Sequence, residues 1–169
     1  MSDVLNQWNN LQAAAAEREI LPCGGSKVWA RAMADRRPIF DEKALLTACD
    51  EIWWSLGVSD WLEAFRSHPR IGDSPATPAS SRSAGWSSEE QSKVGTANED
   101  VRMAVADANR AYEERFHRIF IVCATNKSAQ EILEILRRRL ANDDTTELRE
   151  AAEQQRQIAH IRLRKWLAS

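Results

Sequence analysis

Apolar residues recur at helical spacing along most of the chain, and capping and stop residues cut that pattern into segments. Val4, Leu5, Trp8 and Leu11 form the first, with Ser2 or Asp3 as its N-cap. Ala13 to Ala16 continue helix-favouring sequence until Pro22, which lacks an N–H, interrupts it. The turn Cys23-Gly24-Gly25-Ser26 follows, and Ser26 is placed to cap a helix carrying Trp29, Ala32 and Met33, ended by Pro38. Asp41 caps the next segment, whose stripe of Leu45, Cys49, Ile52, Trp53 and Leu56 stops at Gly57. Ser59 or Asp60 restarts a short helix through Trp61, Leu62 and Phe65.

That helix meets Ser67-His68-Pro69-Arg70-Ile71-Gly72-Asp73, where Pro69 disfavours helix at His68 and leaves the imidazole at a bend. Gly72 permits a further turn, and Asp73 can hydrogen-bond locally. Ser74 to Ser88 is rich in Pro, Ala, Ser and Gly and reads as a long loop, pinned near its end by Trp86. Ser87 opens a long helix towards Phe116, with Ser87 and Glu90 spaced as a capping box. A break is expected near Gly95 to Asn98, and the later half carries Val101, Val105, Ala108, Tyr112 and Phe116.

Ile119 to Ala124 is continuously apolar and reads as a strand by propensity, but no partner strand is visible in the pattern. A lone strand cannot satisfy its own backbone, so the segment is expected to be a buried extended connection whose N–H and C=O groups face a ligand. Asn126-Lys127 turns the chain, and Ser128 and Glu131 form a second capping box before Ile132, Leu133, Leu136 and Leu140. Asn142 and Asp143 stop that helix, and Thr145 or Thr146 caps the last, where Ile158, Arg162 and Trp166 share a face. The pattern predicts an all-α bundle of about seven to nine helices in one domain over residues 1–169.

Composition narrows the class. Hydrophobic content of 43% and charged content of 28% fit a globular chain. A net charge of −2 argues against a dedicated nucleic-acid surface, and Arg137-Arg138-Arg139 reads as a solvated helix face. No apolar run is long enough for a membrane span, and no signal peptide or peroxisomal address is visible, so the cytoplasm is the expected compartment. Cys23, Cys49 and Cys123 are odd in number, and the last two sit in apolar surroundings as buried free thiols of a reducing compartment. His68, His117 and His160 lack metal-ligand spacing, so no metal site is expected. The seven Trp are core and lid candidates.

An imidazole (His68), a carboxylate (Glu90), an amide (Gln91) and a guanidinium (Arg162) make a coherent polar set for a small, flat, anionic molecule with amide-like edges. Helical bundles bring such distant residues together between facing helices. Each has a plainer reading: His68 capping a helix, Glu90 completing a capping box, Arg162 extending its head to solvent.

The run His68-Pro69-Arg70-Ile71-Gly72 resembles the signature of the OHCU decarboxylases, which convert 2-oxo-4-hydroxy-4-carboxy-5-ureidoimidazoline (OHCU) to (S)-allantoin and CO2 at the end of urate breakdown. Ser87-Ser88-Glu89-Glu90-Gln91 resembles the family's S-x-x-E-Q, Phe120 to Ala124 its central apolar segment, and Ile161-Arg162-Leu163 its last helix. The resemblance implies an all-α, cofactor-independent carboxy-lyase, commonly a homodimer. His68 would be the acid/base residue and proton donor. Glu90 would be the second acidic active-site residue, orienting His68 or the substrate, and Arg162 would hold the substrate's negative charge. Ser87 and Gln91 would bind polar edges, while Pro69 and the main chain of Val122, Cys123, Ala124, Thr125 and Asn126 would line the pocket. Where the family often carries two adjacent cysteines before Gly-Ser, this chain has Cys23-Gly24-Gly25-Ser26, and Cys23 enters the pocket set on that reduced match.

Two rival readings stay open. A non-catalytic helical interaction module explains the caps, stripes and Trp residues, but not the His-Pro bend, the S-x-x-E-Q start and the in-stripe Arg together. A hydrolase of a related ureido-imidazole shares the residue set and differs in releasing no CO2.

Overall fold

The computed structural model describes residues 3–72 and 81–169, so Ser2, Asp73 and the first part of the expected Ser74–Ser88 loop lie outside the described residues. Among the described residues every regular element is helical: α1 (Asp3–Asn9), α2 (Ala13–Gly24), α3 (Lys27–Asp35), α4 (Glu42–Ser55), α5 (Val58–Arg66), α6 (Ser81–Glu90), α7 (Ser92–Gly95), α8 (Glu99–Phe116), α9 (Ala129–Arg139) and α10 (Asp144–Leu167). None of these helices is long and apolar enough to cross a membrane. The ten helices exceed the seven to nine expected, because what reads as one helix from Ser87 to Phe116 is three.

The chain divides into two compact units, Met1–Ala64 with Arg156–Ser169, and Phe65–Gln155. In the first, α2 and α3 pack closely around Gly24, where an added Cβ would lie 2.4 Å from the Trp29 ring. Gly25 ends α2 in the left-handed conformation at φ 77°, and Ser26 caps α3 by accepting from the Trp29 N–H. Pro22 does not interrupt α2 but sits inside its last turn. The carbonyl deprived of a partner is that of Arg18, on the exposed face, where water can take it. Leu11 falls outside α1, which ends at Asn9, and is exposed.

Trp8 and Trp166 meet edge to face at 5.6 Å, with the Trp8 indole N–H donating to Ala16 O at 3.0 Å and that of Trp166 to Glu19 Oε1 at 3.0 Å. Arg37 stacks over Trp8 and donates to the carbonyls of Trp8 (2.7 Å) and Leu11 (2.8 Å), fixing the α1–α2 connection. Asp41 caps α4 as expected, accepting from the Ala44 N–H at 2.7 Å.

In the second unit α8 packs on α9 around Val105, Tyr112, Phe116, Ile132, Leu133 and Leu136. Asn98 caps α8, which confirms the break before it, and Ser128 and Glu131 form the expected capping box on α9. Ser87 lies inside α6 rather than at a helix start, so Ser87 and Glu90 form no capping box, and the loop reading of 81–88 is wrong. Nothing in the pattern marks Ser81 as a start, because its stretch is small and polar rather than amphipathic. Asp143, not Thr145 or Thr146, caps α10, its Oδ1 accepting from the Thr146 N–H at 2.9 Å.

Arg139 corrects the reading of 137–139 as a solvated face. Arg137 and Arg138 are exposed, but Arg139 is fully buried, paired with Glu147 and donating to Ile121 O at 2.6 Å.

Candidate active site

The helix α5 ends at Arg66, one residue short of the bend that Pro69 dictates, and the His68 N–H closes the end on Phe65 O at 3.2 Å. Side chains from other elements then grip each residue of the bend but the proline. His68 Nε2 lies 2.6 Å from Gln155 Oε1 on α10. Arg70 forks onto Glu113 of α8 through Nε (2.5 Å) and Nη2 (2.8 Å). The buried Ile71 accepts at its carbonyl from Asn109 Nδ2 at 3.0 Å. Gly72, at φ 89°, donates its N–H to Gln91 Oε1 at 3.0 Å. A turn with a positive-φ glycine is thus fixed from two helices, α8 and α10, and the α6–α7 junction.

The same junction carries the expected acidic residue. Ser87 is buried in α6, Glu90 is its half-buried last residue, and Gln91 joins it to α7, with its N–H on Ser87 O at 3.1 Å. Ile119 to Ala124 is a connection without regular secondary structure, and 121–124 are all buried. Its backbone is less available than expected: Gln154 Oε1 accepts from the Cys123 N–H at 2.9 Å, and Lys127 Nζ donates to Cys123 O at 2.7 Å. Thr125 Oγ1 is buried beside the Cys123 thiol. Asn126 turns the chain at φ 65°, and its carbonyl accepts from Lys93 Nζ at 3.4 Å.

Burial pushes the Cys123 thiol above its ordinary pKa against the pull of Lys127, and the Glu90 carboxylate adds to the rise. The α6 end and the 122–126 wall therefore sense each other. Gln91, Gln154 and Gln155 thus tie the His68 turn, the α6–α7 junction and the central wall into one set.

Arg162 and Cys23 belong to the other unit. Both are buried, so Arg162 does not extend to solvent. Its Nη1 donates to Pro22 O at 3.3 Å, one residue before Cys23. A cavity of about 550 Å³ opens on another side of the His68 turn, lined by Arg70, Ile71, Gly72, Arg102, Met103 and Glu113 among others. His68 and Glu90 are not on its wall, and the chemistry of the set above places the candidate site with them instead.

The family model described as OHCU decarboxylase matches residues 9–164. The chain belongs to the OHCU decarboxylase family. It is 36% identical over 151 residues to the uric acid degradation bifunctional protein TTL of Arabidopsis thaliana, covering 88% of this chain and 46% of that protein. It is 26% identical over 164 residues to the uric acid degradation bifunctional protein of Bacillus sp. (strain TB-90), covering 95% of this chain and 32% of the relative. The chain thus spans half or less of the length of these relatives.

Among solved structures it resembles an OHCU decarboxylase crystallised in the presence of (S)-allantoin, with a TM-score of 0.76 and 29% identity over 89% of this chain and 98% of the other. A structure of (S)-allantoin synthase shares the fold, with a TM-score of 0.73, 17% identity, and coverage of 96% of this chain and 53% of the other.

Within this OHCU decarboxylase-family chain the residues that pattern reading missed are Gln154 and Gln155. A signal for Gln155 existed. Extending the Ile158, Arg162, Trp166 stripe backwards by three and four reaches Gln155, Ala151 and Glu147, and all six are buried. A polar residue inside such a stripe calls for a partner.

A further titratable cluster joins Cys49, Asp50 and His160, whose ligand atoms lie within 4.8 Å of one another. His160 Nε2 lies 2.6 Å from Asp50 Oδ1, and Arg156 Nη1 lies 3.0 Å from the same oxygen. The guanidinium opposes a cation there, so the cluster reads as an ion-pair network joining α4 to α10.

Proposed function

We propose that this chain catalyses cofactor-independent decarboxylation of OHCU to (S)-allantoin and CO2, the last step from urate to (S)-allantoin. The observation that carries the reading is the His68 turn: the family's His-Pro-Arg-Ile-Gly run is built as a rigid bend beside the Glu90–Gln91 junction. Family membership across residues 9–164 supports it, as does the similarity to a decarboxylase crystallised with (S)-allantoin.

In this reading the bond between the substrate's carboxylate carbon and its ring carbon breaks. CO2 leaves, and the conjugated ring holds the electron pair. That pair forms a double bond to the neighbouring, ureido-bearing ring carbon. One proton then adds to this second carbon, while the hydroxyl on the first gives up its own and becomes the carbonyl of allantoin. His68 supplies the proton to one face, which sets the (S) configuration. Glu90 orients His68 or the substrate, and the Arg162 guanidinium holds its negative charge. Ser87 and Gln91 take up polar edges. Pro69 and residues 122–126 shape the pocket, with Cys23 as a further lining residue. A single catalytic domain, a homodimeric assembly and a cytoplasmic location complete the proposal.

The test is turnover of OHCU freshly generated from urate with urate oxidase and 5-hydroxyisourate hydrolase, followed by optical rotation and CO2 release. Rapid appearance of (S)-allantoin with CO2, above the spontaneous racemic background, is the expected result. Racemic product at the spontaneous rate from folded protein would overturn the proposal.

A further inference from the structure

His68 is reached from α10 by a side chain with almost no access to solvent. Gln155 is 1% exposed, and its Oε1 lies 2.6 Å from His68 Nε2. The preceding residue, Gln154, accepts from the Cys123 N–H at 2.9 Å. Consecutive helix positions point about 100° apart, so one turn of α10 holds both the imidazole and the main-chain wall. An amide oxygen can only accept, so the ring nitrogen facing it carries a proton. The hydrogen bond on one imidazole nitrogen selects which nitrogen is left to do chemistry.

We propose that Gln155 is the positioning residue for His68: it accepts from Nε2–H, holds the imidazole in that tautomer, and makes Nδ1 the nitrogen that exchanges a proton. This rests on the decarboxylase reading for its chemistry and on the hydrogen-bond geometry for its structure. In the protonation step, the proton on Nδ1 of the imidazolium passes to the ureido-bearing ring carbon next to the one that has lost CO2. The ring returns to its neutral Nε2–H form and is reprotonated from solvent. A neutral amide fixes the ring without drawing it towards the imidazolium as a carboxylate does.

The experiment combines ring-nitrogen NMR with kinetics on the full chain. With ¹⁵N-histidine labelling, the His68 signals are those lost in His68→Gln. They are expected to show Nε2 protonated and Nδ1 bare in the neutral ring. Gln155→Met keeps the volume and removes the acceptor. It is expected to mix the tautomers and lower kcat by about 10- to 100-fold with little change in KM, since misorientation acts on the step rather than on binding.

Gln155→Glu restores an acceptor but adds a charge that favours the imidazolium. It should recover the tautomer and move the His68 limb of the kcat/KM pH profile upward by about one unit or more. A wild-type ring protonated on Nδ1 overturns the proposal without any variant, so a Gln155→Met chain that fails to fold does not shield it. Unchanged kcat in Gln155→Met also overturns it, as does an unmoved pH limb in Gln155→Glu. A wild-type chain with the Nε2–H tautomer but no OHCU turnover fails the decarboxylase reading while leaving the contact intact. Turnover that ignores Gln155 does the reverse.

Discussion

Arg139 and Glu147 form an ion pair from which solvent is wholly excluded, with Nη2 2.5 Å from Oε1 and both side chains at 0% exposure. The Tyr112 hydroxyl donates to the same carboxylate at 2.5 Å and Asn142 Nδ2 at 2.9 Å, while the guanidinium stacks 4.5 Å from the Phe120 centroid. Removing one partner strands the other charge in the core. Glu147→Ala should therefore cost about 3–5 kcal/mol in chemical denaturation, whereas Tyr112→Phe, which leaves the pair intact, should cost about 1 kcal/mol.

The glycines at 24 and 72 carry different constraints. A Cβ at Gly24 would press on the rigid, buried Trp29 ring, while Gly72 has open space but a φ of 89°. Gly24→Ala should lower stability by about 1–3 kcal/mol through overpacking. Gly72→Ala should cost about 1–2 kcal/mol through backbone strain, and it should also lower OHCU turnover by disturbing the His68 turn. Thermal unfolding paired with turnover separates the two.

His68→Ala should abolish acceleration of OHCU decarboxylation while thermal unfolding stays near that of the parent, because His68 is only half-buried. Arg162→Met should act mainly through KM, as expected of a group that binds substrate charge before and during the step. Near-full turnover by His68→Ala would remove it from the mechanism.

The thiols should be silent in the native protein. All three cysteines are buried thiols outside any disulfide. Burial, followed by the neighbouring Asp50 carboxylate, pushes Cys49 up to about 12, and burial also raises Cys123. Labelling with a thiol-specific disulfide reagent at pH 8 should therefore give almost no signal until denaturant is added, and then three equivalents.

Acid stability should depend on two helix caps. The Ser128 backbone N–H holds the Glu131 carboxyl below its usual 4.5, and the Thr146 N–H holds that of Asp143 below its usual 3.8. A folded-state pKa that is depressed contributes stability above the unfolded value and loses it as pH falls through the folded value. Denaturant midpoints should therefore decline below about pH 4.5, and Glu131→Gln should flatten part of that decline.

Much of this architecture was legible because local chemistry announces it. Ser26, Asp41 and Ser128 cap the helices that their spacing predicts, and the break before Asn98 falls where Gly95 to Asn98 suggest. Legibility failed where a tertiary partner decides. Pro22 stays inside α2 because the carbonyl it leaves without a helical partner is that of the exposed Arg18, and Arg139 is buried because Glu147 and Ile121 O await it. The start of α6 at Ser81 carries no amphipathic signal. The His-Pro bend, the Glu90–Gln91 junction and the central wall were readable as motifs, but their fastening was not. Gln155 and Gln154 read as ordinary helix-favouring polar residues until the structure shows what each one touches.

The stripe along α10 constrains how the chain can change over evolutionary time. Glu147, Gln155 and Arg162 stand eight and seven residues apart on one buried face, about 12 Å and 10 Å along the axis. Substitutions on the outer face leave that spacing untouched. A single inserted or deleted residue between Glu147 and Arg162 swings everything beyond it by about 100°, turning a core charge or the His68 acceptor away from its partner. Drift in α10 is thus confined to exchange of residues, and lineages that diverge widely in sequence should still keep this helix to an unchanged count.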